Sequence, residues 1–186
     1  MSQDVQTYDL IIVGAGSGNM IPVPEMENWR LAIVEPDKFG GTCLNRGCIP
    51  SKMLLYPAEL AETAEHAAKL GVHHTLDRVD WQHIVARVWQ KIDPIAEAGA
   101  AYRQSQPHIT VYDQPAHFVE PRVLQTGTHR ITADRIVLGA GARPVVPELP
   151  GLDTVPYHTS DTVMRLDTQP ESILIIGGGY IGAEMA

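Results

Sequence analysis

The stretch "DLIIVGAGSGN", residues 9–19, joins an apolar run to a glycine-rich turn. The run begins at Tyr8, ends at Val13 and is followed at once by glycine, which is typical of a buried strand that leads into a turn. If a helix starts after the turn, its backbone N–H groups can bind a pyrophosphate. Gly14 permits the tight turn and Gly16 lets a phosphate approach the backbone. The stretch predicts a nucleotide-binding turn, with an ordinary strand-to-helix turn as the alternative.

An acidic residue favours the nucleotide-binding interpretation. A second apolar run, residues 31–34, stops at Glu35, which lies 21 positions after Gly14. An acid about 20 residues beyond such a turn, at the end of the second strand, is placed to bind a ribose hydroxyl. Two features depart from the pattern, because the sixth position is Asn19 instead of glycine and two prolines follow it. We therefore expect the crossover helix to be short or irregular.

The middle of the chain predicts two helices and a small β meander. Residues 51–70 are rich in Ala and Glu, and residues 80–104 place apolar side chains at helical spacing behind Asp80, a suitable N-cap. Pro57 predicts a break or a bend in the first turns of its helix, and Pro94 predicts a kink. Short β-like runs separated by Pro, Gly and Asp predict the meander, at residues 108–112, 116–119, 122–126 and 129–132.

A second glycine turn lies near the end of the sequence, in "SILIIGGGYIGAE", residues 172–184. Residues 173–176 predict a strand, and the turn that follows fits the full six-residue glycine pattern. Residues 142–156 are rich in proline, as a connection between domains is. We expect one domain over residues 1–148 and the beginning of a second over residues 149–186. Since one strand and the start of a helix cannot bury their apolar faces, the sequence is predicted to be an incomplete piece.

Composition excludes several classes of function. The net charge of −8 argues against a nucleic-acid partner, because binding phosphates requires a basic surface. No apolar run approaches the roughly 20 residues of a membrane helix, so no membrane partner is expected. The first ten residues lack the pattern of a secretory signal, and the chain has only two cysteines. These features predict a cytoplasmic protein.

Both cysteines lie in "GGTCLNRGCIPSK", residues 40–52. Residues five apart in a continuous helix are about 7.5 Å apart along the axis, whereas a disulfide needs Cα atoms about 4.4–6.8 Å apart. A bond between Cys43 and Cys48 therefore predicts an interrupted helix. Such a small loop stabilises a fold by only about 2 kcal/mol, and no further Cys or His pair completes a zinc site, so no metal is expected. A redox dithiol, with Arg46 and Lys52 favouring a thiolate, is preferred over two unrelated thiols.

The glycine turn, the C-x₄-C pair and the second glycine turn together resemble the two-cysteine, FAD-dependent pyridine nucleotide–disulfide oxidoreductases. The resemblance implies an α/β fold, with an FAD-binding Rossmann-like domain, a small β meander and the start of a second, NAD(P)-binding Rossmann-like domain. Three stretches are most similar to the mycothione reductases within this family: "GAGSGNMIP", "RVWQKIDPIAEAGAAYR" and "VPYHTSDTVMRL".

The same resemblance implies roles for individual residues. Cys48 is the inner thiol beside the flavin, and Cys43 is the outer thiol that reacts with substrate. Lys52 lies near the flavin ring and pairs with Glu184, while Tyr180 covers the nicotinamide side. His117 either meets the adenine or is an ordinary meander residue. The remaining cofactor-binding positions are Gly14, Gly16, Glu35 and Thr42 on the first turn and its surroundings, Gly139, Ala140 and Gly141 at a second strand end, and Gly177, Gly179 and Gly182 in the NAD(P) turn.

The implied reaction passes electrons from NAD(P)H, with NADPH favoured, through FAD and the cysteine pair to a small disulfide, mycothione. Full-length family members are homodimers, and the partner subunit's C-terminal domain supplies the proton-donating His–Glu pair. That domain is absent from this sequence, so the chain alone is predicted to be inactive. The alternatives are a dihydrolipoamide dehydrogenase, a non-catalytic flavin-binding fragment, and a thiol sensor without flavin.

Overall fold

The computed structural model describes residues 4–186, with the side chains of residues 64 and 65 left undescribed. These residues form two compact units. The first consists of the described part of Met1–Asn45 together with Pro94–Ala142, and the second of Arg46–Asp93 together with Arg143–Ala186. The units are not the domains expected from the sequence, and the boundary at residues 148 and 149 stays a prediction.

The first unit contains a six-stranded sheet with the strand order β3-β2-β1-β6-β5-β4. β3, β2, β1 and β6 run parallel to one another, whereas β6, β5 and β4 are antiparallel. This mixed sheet confirms the predicted α/β, Rossmann-like fold. The strands are β1 (Val5–Val13), β2 (Leu31–Val34), β3 (Ile109–Tyr112), β4 (Ala116–Glu120), β5 (Val123–Thr126) and β6 (His129–Leu138).

The apolar runs of the sequence form the centre of this sheet. Ile11 and Ile12 are adjacent in β1 and both fully buried, although neighbouring side chains in a strand point to opposite faces. They belong to two separate apolar clusters. All four residues of β2 are buried as well. Central parallel strands are covered on both faces, which explains why these runs are continuously apolar instead of alternating.

The predicted meander is wrong in two details. The run at residues 108–112 is not part of it, because β3 pairs parallel with β2 at the other end of the sheet order. There Ile109 and Tyr112 are buried, which stabilises the parallel position. The run at residues 129–132 is also not a separate strand, since β6 continues to Leu138 and pairs with both β1 and β5. The meander therefore consists of β4, β5 and the first part of β6.

The crossover between β1 and β2 is short and irregular, as predicted. It contains two 3₁₀ turns, Ser17–Met20 and Pro24–Met26, and no α-helix. Pro24 is the first residue of the second turn, a position where its missing N–H is tolerated.

Residues 4–186 form four α-helices, which are α1 (Gly41–Arg46), α2 (Cys48–Ala68), α3 (Trp81–Gln104) and α4 (Tyr180–Met185). Asp80 is the N-cap of α3, since its Oδ1 accepts a hydrogen bond from the His83 N–H at 3.0 Å. α2 continues through Pro57 and α3 through Pro94, so neither proline ends its helix. A bend at Pro57 and a kink at Pro94 stay predictions. None of the described helices is long and apolar enough to cross a membrane.

In the second unit, the predicted strand at residues 173–176 is not formed. A strand requires a neighbour for its backbone hydrogen bonds, and the described part of this unit contains no strand. Leu174 and Ile176 are 88% and 61% exposed, so the apolar run lies uncovered. Elsewhere in the unit, α3 anchors the segment at residues 164–166, because Trp81 Nε1 donates to the Leu166 carbonyl at 2.9 Å and Trp89 Nε1 to the Met164 carbonyl at 3.2 Å.

Candidate dinucleotide and redox site

The first glycine turn packs its backbone directly against the end of β6. Gly14 has a φ of +102°, and a Cβ at this position would lie 2.1 Å from the carbonyl oxygen of Gly139. The Gly139 N–H donates to the Val13 carbonyl at 2.7 Å. Only glycine fits at position 14, because both the backbone angle and the close approach exclude a side chain. The structure thus brings together two predicted positions, Gly14 and Gly139.

Glu35 reaches this turn from the end of β2. Its Oε2 accepts a hydrogen bond from the Ala15 N–H at 2.8 Å, and its Oε1 accepts one from the Asp37 N–H at 2.9 Å. The carboxylate is therefore held at the turn, where the spacing of the sequence places it. Since each carboxylate oxygen accepts two hydrogen bonds, both oxygens keep an acceptor site for a ribose hydroxyl.

The N-terminus of α1 rests on the same turn. The Gly40 N–H donates to the Ala15 carbonyl at 2.9 Å. A Cβ on Gly41 would lie 2.6 Å from the Cα of Gly16, so the two backbones are in direct contact. Thr42 and Cys43 follow in the first turn of α1 and are exposed. The helix that holds the first cysteine is thus fixed to the first glycine turn by backbone contacts.

A buried amide that the sequence reasoning missed stabilises this docking. Asn45 is only 6% exposed, and its Nδ2 donates to the carbonyls of Phe39 at 2.9 Å and Gly41 at 3.0 Å. Among the residues that the structure describes, no group donates to its buried Oδ1. In proteins, a buried acceptor of this kind is usually satisfied by an ordered water. The signal in the sequence is a polar residue between the two cysteines at an inward-facing helix position.

The helix is interrupted between the two cysteines, as a Cys43–Cys48 bond requires. α1 ends at Arg46 and α2 begins at Cys48, with Gly47 as the N-cap residue between them. Gly47 has φ −149° and ψ −122°, which lie outside the helical region. Cys48, like Cys43, is exposed.

Within the second unit, the predicted pairing of Lys52 with Glu184 is confirmed. The Lys52 Nζ lies 2.6 Å from Glu184 Oε1. The Ser51 hydroxyl, which the sequence reasoning missed, donates to the same oxygen at 3.0 Å and lies 3.2 Å from the Cys48 carbonyl. The hydrogen bond from Lys52, followed by that from Ser51, lowers the pKa of Glu184. The carboxylate therefore stays ionised and holds the lysine beside the start of α2.

The other predicted positions are exposed, apart from Gly182, which is partly buried. His117 lies on β4 opposite Gln125. Tyr180 begins α4 and is 86% exposed. The remaining positions lie in exposed backbone or within α4: Ala140, Gly141, Gly177, Gly179 and Gly182. Among the described residues, no group of three or more His, Cys, Asp or Glu side chains is arranged to hold a metal ion.

A family model described as pyridine nucleotide-disulphide oxidoreductase matches residues 8–186. The chain belongs to this family. It is 45% identical over 188 residues to the mycothione reductase of Mycobacterium tuberculosis strain H37Rv. That alignment covers 98% of this chain and 41% of the mycothione reductase. It is 33% identical over 196 residues to the dihydrolipoyl dehydrogenase of Bacillus subtilis. That alignment covers 96% of this chain and 41% of the dehydrogenase.

A solved flavoprotein disulfide reductase has a similar fold. The HOCl-induced flavoprotein disulfide reductase RclA from Escherichia coli superposes with a TM-score of 0.80 at 29% identity, over 96% of this chain and 38% of that one. The chain spans about two fifths of the length of the curated relatives it matches.

FAD, the flavin of this oxidoreductase family, fits the first glycine turn. Gly16 presents only backbone to a phosphate, and the Glu35 carboxylate stands at the turn with open acceptor sites. The turn is followed by a 3₁₀ turn in place of an α-helix, so fewer aligned N–H groups face an anion than in the usual arrangement.

Proposed function

We propose that the protein functions in a flavoprotein disulfide reductase, which passes electrons from NAD(P)H through FAD and the Cys43–Cys48 pair to a small disulfide. The observation that supports this proposal most directly is the contact between the nucleotide-binding turn and the helix of the first cysteine, Gly16 against Gly41. A structural disulfide, a zinc site or a pair of unrelated thiols would not require this contact. In a redox relay, the contact fixes the first thiol relative to the cofactor.

Bound FAD would supply the two-electron chemistry that links NAD(P)H to the dithiol. The two cysteines perform the exchange with substrate. The Cys43 thiolate attacks one sulfur of the substrate disulfide, releases the first thiol and forms a mixed disulfide. The Cys48 thiolate then attacks the Cys43 sulfur, releases the second thiol and closes the Cys43–Cys48 disulfide. One substrate disulfide is reduced to two thiols, and two electrons with two protons restore the dithiol.

The remaining roles follow from the family resemblance and are part of the proposal. Gly14, Gly16 and Glu35 bind the ADP half of FAD, and Lys52, held by Glu184, contributes positive charge near the flavin. The other proposed cofactor contacts are Thr42, His117, Gly139, Ala140, Gly141, Gly177, Gly179, Tyr180 and Gly182.

Mycothione is the proposed substrate, because the identity to a mycothione reductase exceeds that to a dihydrolipoyl dehydrogenase. Rates of the complete protein with mycothione and with lipoamide decide between the two. Faster turnover of lipoamide would replace the mycothione proposal with the dehydrogenase. The same assay with NADPH and NADH tests the proposed preference for NADPH.

The purified 186-residue chain tests the relay itself. We expect it to bind FAD, and photochemical reduction of the bound flavin should convert an oxidised Cys43–Cys48 pair to two titratable thiols. Cys48→Ser should abolish this transfer while FAD stays bound, whereas Ser105→Ala, a change in an exposed hydroxyl after α3, should leave it unchanged. Thiols that appear without any bound flavin would instead support a flavin-independent thiol sensor.

A further inference from the structure

A side-chain contact in the first unit involves the one position where the glycine turn departs from its pattern. Asn19 occupies the sixth position of the turn. Arg103, in the last turn of α3, donates from Nε to Asn19 Oδ1 at 2.7 Å and from Nη2 to the Asn19 carbonyl at 2.5 Å. Both bonds are charge-assisted, and together they fix the amide side chain and the backbone of the same residue.

The 3₁₀ turn that follows Gly16 is only weakly stabilised by its own hydrogen bonds. At its two ends, the Asn19 N–H donates to the Gly16 carbonyl at 3.0 Å and the Ile21 N–H donates to the Gly18 carbonyl at 3.1 Å. Short 3₁₀ turns have poor hydrogen-bond geometry, and a segment of this length is marginal alone. In the usual dinucleotide-binding unit, a long crossover helix packs on the sheet and fixes the turn. That helix is missing here, between residues 14 and 30.

Arg103 connects the turn to a well-anchored element. Ala100, one helical turn earlier in α3, packs on the apolar cluster that contains Ile12 and Phe39. Gly99 of the same helix faces Phe39. The guanidinium also lies 5.4 Å from the ring centre of Tyr102. The helix end that carries Arg103 is therefore attached to the sheet, and its hydrogen bonds transmit that rigidity to Asn19.

We propose that Arg103 and Asn19 form a positioning clamp, which replaces the missing crossover helix and holds the Gly16–Asn19 backbone in the conformation that binds the pyrophosphate of FAD. The inference rests on the proposed function, in which this turn binds FAD. Arg103 acts through Asn19 and does not itself contact the cofactor. Arg103 bonds to Asn19, the residue that stands in place of the sixth glycine. The clamp therefore explains both why this position is not glycine and how the turn is held without a crossover helix.

The dissociation constants of FAD and ADP test the clamp in the purified 186-residue chain. Arg103→Gln should weaken both ligands by about tenfold, since two charge-assisted hydrogen bonds are lost. ADP should be affected as strongly as FAD, because both contain the pyrophosphate. The absorption spectrum of the flavin at saturation should stay unchanged, because the clamp acts on the pyrophosphate end. Arg103→Lys keeps the charge but lacks the planar fork that reaches both Asn19 oxygens, so it should recover only part of the affinity.

Lys91→Gln is the matched control, since it removes one exposed positive charge from the same helix and should leave both constants unchanged. If Arg103→Gln fails to fold, Asn19→Ala decides, because it removes only the Oδ1 acceptor; about threefold weaker FAD binding at an unchanged melting temperature supports the clamp. FAD binding that neither substitution weakens overturns it. A chain that binds no FAD at all overturns the proposed function, and the clamp with it.

Discussion

At the scale of single residues, the glycine turn depends on a position that has no room for a side chain. A methyl group at position 14 would meet the Gly139 carbonyl at 2.1 Å and would also require a φ of +102°. We predict that Gly14→Ala lowers the free energy of unfolding by about 1–3 kcal/mol and prevents FAD binding. Urea unfolding and flavin titration measure the two effects.

Gly127→Ala is the matched control for this prediction. Gly127 also has a positive φ, of +53°, but a Cβ there would meet only the Gln114 side chain, at an ordinary 3.4 Å. The Gly127→Ala substitution should lower the free energy of unfolding by about 1 kcal/mol because of the backbone angle, and it should leave FAD binding intact. Equal effects of the two substitutions would contradict a role for the close approach between Gly14 and Gly139.

A buried tyrosine makes the stability of the first unit sensitive to alkaline pH. The Tyr112 hydroxyl lies 2.7 Å from the Tyr8 hydroxyl and donates to Gln6 Oε1 at 2.7 Å. Burial, and next the hydrogen bond with Tyr8, raise the pKa of Tyr112 above its usual value. An unfolded tyrosine loses its proton near pH 10. The stabilisation is therefore complete below about pH 10 and is lost as the pH rises further.

We predict that Tyr112→Phe flattens this alkaline loss. The free energy of unfolding of the substituted chain should fall less between about pH 9 and pH 11 than that of the unaltered chain. Tyr102→Phe removes an exposed hydroxyl and should keep the original slope. Identical slopes for Tyr112→Phe and the unaltered chain would show that the tyrosine is not linked to unfolding.

At the scale of elements, the N-terminus of α1 depends on the amide of Asn45, which bridges the loop and the first turn of the helix. Asn45→Ala removes two buried donors and leaves the carbonyls of Phe39 and Gly41 without them. The free energy of unfolding should fall by about 1–3 kcal/mol. Asn45→Asp keeps the shape but offers only acceptors, and should destabilise at least as much. A milder effect of Asp than of Ala would show that packing, not hydrogen bonding, explains the role of Asn45.

The sequence predicts those elements whose signals are local. The turn at Gly14, the acid at Glu35 and the interruption between the cysteines follow from spacing along the chain. The partner of β3 does not, because a short apolar strand is equally suited to a meander or to a parallel edge. The run at residues 173–176 has the composition of a strand but lacks a neighbouring strand in the described unit.

Contacts between distant residues account for the rest of what the sequence did not predict. Arg103 and Asn19 are 84 positions apart, and neither residue type signals the contact. Ser51 joins Glu184 across 133 positions. The Lys52–Glu184 pair was predictable only through the family resemblance, which supplies a long-range contact that composition and periodicity lack.

At the scale of the whole molecule, we predict that the 186-residue chain alone catalyses no NADPH-dependent disulfide reduction. The family resemblance places the proton-donating His–Glu pair in the partner subunit's C-terminal domain, and the 186-residue chain spans about two fifths of the length of its curated relatives. A leaving thiolate needs that proton. Spectrophotometric oxidation of NADPH in the presence of FAD and a small disulfide measures the activity. The mycothione reductase of Mycobacterium tuberculosis serves as a positive control, and NADPH oxidation by the chain above the rate of free FAD contradicts the prediction.

The position of β6 between β1 and β5 has a consequence for synthesis on the ribosome. β1 is made first, yet its partner on one side is residues 129–138. Until that segment emerges, one edge of β1 presents unpaired N–H and carbonyl groups, which are a template for pairing with other chains. Contacts between such distant segments also slow folding. The nascent chain therefore completes its central sheet late, and the edge of β1 is most open to pairing with other chains in the period before β6 emerges.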